Sequence, residues 1–85
     1  MLFVKLWGKI YIDNKIVNQH VIDISKSYMQ NLTQHLSDVC NELDIATPVL
    51  SNKHLEDLET YNTAIFLESD FIEVINFEKF VIEVF

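Results

Sequence analysis

The stretch Leu2–Ile24, LFVKLWGKIYIDNKIVNQHVIDI, decides the fold. Leu2, Val4, Leu6, Ile10 and Ile12 alternate with Phe3, Lys5, Trp7, Lys9 and Tyr11. A period of two marks a strand, here with one aliphatic face and one mixed aromatic and lysine face. Asp13-Asn14-Lys15 reads as the turn, because Asn and Asp tolerate positive φ and hydrogen-bond their own backbone. Residues 16–24 return as a second strand. A three-residue loop sets Val4 opposite Ile24, Leu6 opposite Ile22 and Ile12 opposite Ile16 on the core face. It sets Lys5 opposite Asp23 and Trp7 opposite Val21 on the other face. A one-residue slip mismatches both faces, so this register is the expected one. Gly8 inside the strand marks a bulge or a close approach, which lets Trp7 or a helix residue lie across the sheet.

Downstream, Ser27-Tyr28-Met29-Gln30 has the spacing of a capping box. Met29, Leu32, Leu36, Val39, Cys40 and Leu43 then recur at three- and four-residue steps, predicting a helix that ends near Asp44, before Pro48. Asn52 is the expected cap of a shorter helix through Leu55, Leu58 and Tyr61, with Glu56, Asp57 and Glu59 exposed. Residues 64–67 and 79–85 read as strands, and Ser69-Asp70 as a turn. Residues 71–77 suit a strand or a helical turn equally. The expected fold is α+β: an antiparallel sheet of three to four strands, the N-terminal hairpin plus a C-terminal strand, packed against two helices in the order ββααββ. Pairing of the last strand with the opening hairpin ties both termini into the sheet.

Eighty-five residues suit one domain, and 49% hydrophobic content with six Phe excludes a disordered chain. No apolar run approaches the roughly 18–20 residues of a membrane span. Lys5 and Lys9 interrupt the apolar opening and no small-residue cleavage site follows, so it reads as a strand rather than a signal peptide. The single Cys40 rules out an intramolecular disulfide and suits a reducing compartment, so the expected location is the cytoplasm.

The chain has no arginine, and its charge is uneven. Four lysines face Asp13 and Asp23 in residues 1–37, whereas eleven acids face only Lys53 and Lys79 in residues 38–85. Carboxylates without guanidinium partners project a negative field that favours basic partners and repels nucleic acid. In most small domains such residues only keep a hydrophobic chain in solution. The sharper expectation is a surface that docks on a basic groove.

Other chemistries have little support in the residues. His20, His35, His54 and Cys40 show no Cys-x-x-Cys or His-x3-His spacing, and His35 and Cys40 fall on different faces of one helix, so no metal is expected. Cys40 lies in the apolar stripe as a small core residue, and His20 is placed on the mixed sheet face near Trp7. Ser25, Ser27, Ser37, Ser51 and Ser69 all sit where caps or turns account for them, and Gly8 is the only glycine, so no phosphate loop exists. No catalytic residue and no cofactor are expected. Phe3, Lys5, Trp7, Lys9 and Tyr11 interleave charge and aromatics as a stacking platform for single strands does. A half-buried sheet face whose lysines guard an edge accounts for them more simply, and the net charge of −7 opposes phosphate binding.

The stretch Asn41–Pro48 (NELDIATP), with Asp70–Glu73 (DFIE), Phe77–Glu83 (FEKFVIE) and the opening Lys5–Ile10 (KLWGKI) followed by Asp13-Asn14-Lys15, resembles a group of small uncharacterised proteins from low-GC Gram-positive bacteria. The likeness covers nearly the whole chain. It implies one compact domain over residues 1–85, and brings no activity, ligand or catalytic residue with it.

The expected function is therefore that of a non-enzymatic acidic interaction module. Its expected partner is a protein with a basic surface, such as a nucleic-acid-binding enzyme, contacted through Asp38, Glu42, Asp44, Glu56, Asp57 and Glu59. In size and charge it is similar to small inhibitors made by phages and mobile elements, anti-CRISPR proteins and nucleic-acid mimics among them. The alternative is a structural module that forms a homodimer through an open strand edge or through Trp7, Tyr11 and Phe85. Neither reading involves direct contact with nucleic acid or a membrane.

Overall fold

Two strands, β1 (Phe3–Ile12) and β2 (Lys15–Ser25), form the hairpin that the alternation predicts. The computed structural model describes residues 3–25 and 27–85; Leu2, Lys26 and the side chain of Phe3, with the places expected for them, lie outside the described residues. From Val4↔Ile24 through Leu6↔Ile22 and Trp7↔Val21 to Ile10↔Asn18, the register is the expected one. The turn differs. Asp13 (φ 53°) and Asn14 (φ 62°) form a two-residue loop, the left-handed pair whose twist matches that of flanking strands. Tyr11 therefore pairs with Ile16 and Ile12 with Lys15, which leaves Val17 as an unpaired bulge residue. The bulge moves Ile16 from its expected core position to the opposite face, where it is 41% exposed. A tight turn and the core register differ by one residue, and Val17 absorbs that residue.

The chain continues through a 3-10 turn (Tyr28–Asn31) into α1 (Leu32–Glu42). The expected capping box at Ser27 does not form. Ser27 makes no side-chain cap, and its hydroxyl lies 3.0 Å from that of Ser25 instead. Leu32, Leu36, Val39 and Cys40 are the buried stripe of α1, and Met29 packs beside them from the 3-10 turn. Asp44, at φ 57°, stops the helix: the Ile45 N–H donates to the Cys40 carbonyl (3.0 Å) and the Asp44 N–H to that of Asn41 (3.1 Å). This is a Schellman motif with Asp where Gly is usual. The second helix, α2 (Asn52–Tyr61), begins one residue earlier than expected, because Ser51 rather than Asn52 is its N-cap.

Strand β3 (Thr63–Phe66) and strand β4 (Lys79–Val84) complete a four-stranded antiparallel sheet in the order β2-β1-β4-β3. β4 enters between β1 and β3, pairing Leu6 with Val84 and Ile10 with Phe80 on one side and Phe66 with Phe80 on the other. Residues 71–77 are neither of the two elements considered for them. They form an irregular loop after a short 3-10 turn (Glu68–Asp70), anchored by buried Phe71 against Phe77.

Both helices cover one face. Leu6, Ile10, Ile24, Ala64, Phe66, Phe80, Ile82 and Val84 from the sheet meet Leu32, Leu36, Val39, Cys40 and Leu58 from the helices in one core. α1 lies over β1 and β2, and α2 over β3. The seat of α1 is Gly8, where an added Cβ would come 2.4 Å from Val39 Cγ1 and 3.1 Å from Phe80 Cε1. Of the two residues proposed to use that space, the helix residue takes it. Val39 is β-branched and fully buried, so it cannot swing aside. Gly8→Ala should destabilise the fold by about 1–3 kcal/mol in urea titration, and Val39→Ala should recover part of that loss in a double-mutant cycle. Additive losses would show that the contact does not set the helix position.

Candidate functional site

The helix side carries the acids. Asp38, Glu42, Asp44, Glu56 and Glu59 are exposed and Asp57 is half-buried. Among the described residues none of the six has a lysine within ion-pair distance; Asp38 accepts a hydrogen bond from Gln34 Nε2 (2.9 Å). The two lysine ion pairs of the described residues, Lys5 with Asp23 and Lys9 with Glu83, lie on the opposite face of the sheet. The six are not one cluster, however. Asp38 and Glu42 border a groove of about 410 Å³ between α1 and β2, which His20 and His35 also line. Glu56, Asp57 and Glu59 ride on α2 above β3, and Asp44 sits in the loop between the helices. Asp44 and Glu73 line a second hollow, about 270 Å³, beside which Ile72 and Val74 stand 90% and 95% exposed.

Among the described residues no helix covers the other sheet face. Trp7 and Phe85 meet edge to face at 6.0 Å between ring centroids, and the Trp7 indole N–H donates to Gln19 Oε1 (2.9 Å). Lys9, only 6% exposed, lies 4.1 Å from the Trp7 ring centroid and donates to Glu83 Oε1 (3.0 Å). Tyr11 is held under Lys79 at 5.0 Å, so of the three residues expected at an aromatic interface, Trp7 and Phe85 form a unit and Tyr11 stands apart. Val21 and Ile65 extend the apolar surface at 43% and 46% exposure. These lysines do not guard an edge. β1 is a central strand, and each lysine is committed to an acid or a ring. Nor is His20 on the mixed face expected for it: paired with Gly8, it lies on the helix side, away from Trp7.

One constellation escaped the sequence reading. His54, 3% exposed and stacked on Phe66 at 4.1 Å, receives the Ser51 backbone N–H at Nδ1 (3.0 Å), with Ser51 Oγ 2.9 Å from the same nitrogen. Its Nε2 faces Asp70 Oδ2 at 3.4 Å, and that carboxylate oxygen also caps the Leu67 N–H (2.9 Å). Ser, His and Asp thus stand in a row. The Nδ1 lone pair is already engaged by a backbone N–H, and Phe66 covers the ring, so the row works as a helix cap that ties α2 to the loop after β3. The signal was Ser51-Asn52-Lys53-His54, capping-box spacing with His in place of Glu or Gln.

Cys40 is fully buried, and burial pushes its thiol from 9.0 up to about 12, against a small opposing effect of the Thr47 hydrogen bond. Among the described residues no group of three or more His, Cys, Asp or Glu side chains is placed to hold a metal ion. No described helix is long and apolar enough to cross a membrane. No family model matches the chain, and no curated protein and no solved structure matches it.

The raised thiol pKa fixes a sign. Folded Cys40 holds its proton more tightly than the unfolded chain does, so its contribution to stability is complete below pH 9.0 and fades as pH rises towards about 12. The stability gap between the native chain and Cys40→Ala should narrow over that window in urea titrations, and a thiol reagent should label Cys40 only after unfolding. Rapid labelling of the folded protein would contradict the burial.

Proposed function

We propose that the protein is a non-enzymatic interaction module that docks through its acidic helix side on a basic surface of another protein. One observation carries this: among the described residues Asp38, Glu42, Asp44, Glu56, Asp57 and Glu59 form no ion pair with a lysine, while Lys5 and Lys9 are engaged across the sheet. A two-layer fold with one acidic side and one side of nearly cancelled charge concentrates its field on the acidic side, which accelerates encounter with a basic patch. Charge alone gives little lasting affinity, because exposed ion pairs are each worth only about 0–1 kcal/mol. Ile72 and Val74, exposed beside Glu73 and Asp44, supply apolar anchors of the kind a docked partner would bury. A basic channel that normally holds nucleic acid is the surface such a face fits best, so the partner class is a nucleic-acid-binding enzyme and the effect is competitive inhibition. That is the manner of small phage and mobile-element inhibitors, anti-CRISPR proteins among them.

With a partner captured by affinity pull-down, reversing Asp38, Glu42 and Glu56 to Lys should cut the association rate about tenfold or more at low salt and flatten its dependence on ionic strength. Stopped-flow binding measures both. An unchanged rate rejects the acidic side as the docking surface.

A second reading has its own observation: the sheet face opposite the helices is uncovered and carries Trp7, Val21, Ile65 and Phe85. A homodimer formed there should persist at high ionic strength in sedimentation equilibrium and dissociate in Trp7→Ala. A monomer at every concentration removes this reading.

A further inference from the structure

Strand β2 is an edge, and the hydrogen-bond pattern says which of its groups are open. Lys5 and Phe85 exchange both backbone bonds, Lys5 N–H to Phe85 O at 2.7 Å and Phe85 N–H to Lys5 O at 3.0 Å. The odd-numbered residues of β1 therefore aim at β4, and by the antiparallel alternation Val4, Leu6, Gly8 and Ile10 aim at β2. Their partners Ile24, Ile22, His20 and Asn18 bond back, so the N–H and C=O groups of Gln19, Val21 and Asp23 point away from the sheet. Asn18 Oδ1 takes the Gln19 N–H (3.0 Å), and the bulge at Val17 disrupts the edge near the turn. The other half of the edge, residues 21–25, carries neither Pro nor Lys, the usual guards.

The groove of about 410 Å³ runs along this same edge. His20 and Ile22 of β2 form its floor, and His35, Asp38 and Glu42 of α1 its wall. A strand added to β2 would place every second side chain in that groove. The side chains between them would fall beside Val21 and the Lys5–Asp23 pair on the other face.

Charge chooses the occupant. A second copy paired edge to edge about a two-fold axis would bring Asp38 and Glu42 towards their own counterparts. Between the bulge and Ser25, the helix-side residues of its β2, Asn18, His20, Ile22 and Ile24, include no lysine to offer in return, and Lys15 lies beyond the bulge at the turn. A segment with cations at alternate positions meets both the open backbone groups and the carboxylates.

We propose that the open edge of β2 binds an extended basic segment as a fifth strand, with Lys or Arg at alternate positions seated between β2 and α1 and aliphatic residues between them. This deepens the acidic-docking reading and rests on it. The partner then contributes a flexible basic tail or loop that becomes ordered by strand addition, rather than a preformed convex surface.

The test uses the full chain and two labelled peptides of identical composition, one alternating Lys and Val and one with the lysines and valines in separate blocks. Fluorescence anisotropy should show the alternating peptide binding about tenfold or more tighter. Val21→Pro removes an outward N–H that β1 does not use, so the fold should survive, as circular dichroism would verify. That variant should lose the preference and bind both peptides as the wild type binds the block peptide. Asp38→Lys with Glu42→Lys should weaken both. Equal binding of the two peptides by the wild type, or a preference retained in Val21→Pro, overturns strand addition while leaving acidic docking in place. No binding of either peptide at low salt overturns the acidic-docking reading itself. A wild-type dimer that Val21→Pro converts to monomer assigns the edge to a second copy and overturns the basic occupant.

Discussion

The position of α1 against β1 is the constraint on which the rest of the molecule depends. With no side chain at Gly8, the helix descends until Val39 and Phe80 fill the space where a Cβ would be. That contact fixes the height and direction of α1, and with them the way His35, Asp38 and Glu42 overlook the edge of β2. It also decides that one sheet face is closed by helices and the other left open. A bulkier residue at this point would lift the helix from the sheet and open the core formed with Leu6, Leu36 and Cys40.

The two faces then acquire different chemistry from the same strands. Because direct partners in an antiparallel ladder share a face, the odd residues of β1 gather Lys5, Trp7, Lys9 and Tyr11 with Asp23, Glu83 and Lys79. On that face lysine meets carboxylate or ring, and the charge nearly cancels. Among the described residues the carboxylates between Asp38 and Glu73 form no ion pair with a lysine, and of them only Asp70 meets a ring, that of His54. The uneven charge along the chain becomes uneven charge across the molecule because the helices, with the loop between them, form one layer.

Much of this was legible in the residues, for identifiable reasons. Alternation fixes which side chains of a strand share a face, so the pairing of Lys5 with Asp23 and Trp7 with Val21 could be read directly. The three-to-four spacing of Leu32, Leu36, Val39 and Cys40 did the same for α1. The misread points are those where local chemistry had two solutions. At the turn, Asp13-Asn14 suits two residues and the core register demands three, and only a bulge at Val17 satisfies both. At Ser51, a capping box with His as its partner residue lacks the usual carboxylate or amide signature, so the buried position of His54 was missed. Residues 71–77 have apolar content without a period, and they became a loop held by Phe71 and Phe77.

What the sequence determined by itself is local: the hairpin faces, two amphipathic helices, the absence of arginine and the concentration of acids after residue 37. Tertiary structure alone decided that β4 enters between β1 and β3, that Lys9 is buried under Trp7, and that His20 turns towards α1. It also decided that β2 is left as an open edge beside two carboxylates. The physical reason is range. Side-chain period encodes the face each residue takes within its own element. Which elements become neighbours depends on burying several apolar faces at once, and no window of the chain contains that sum.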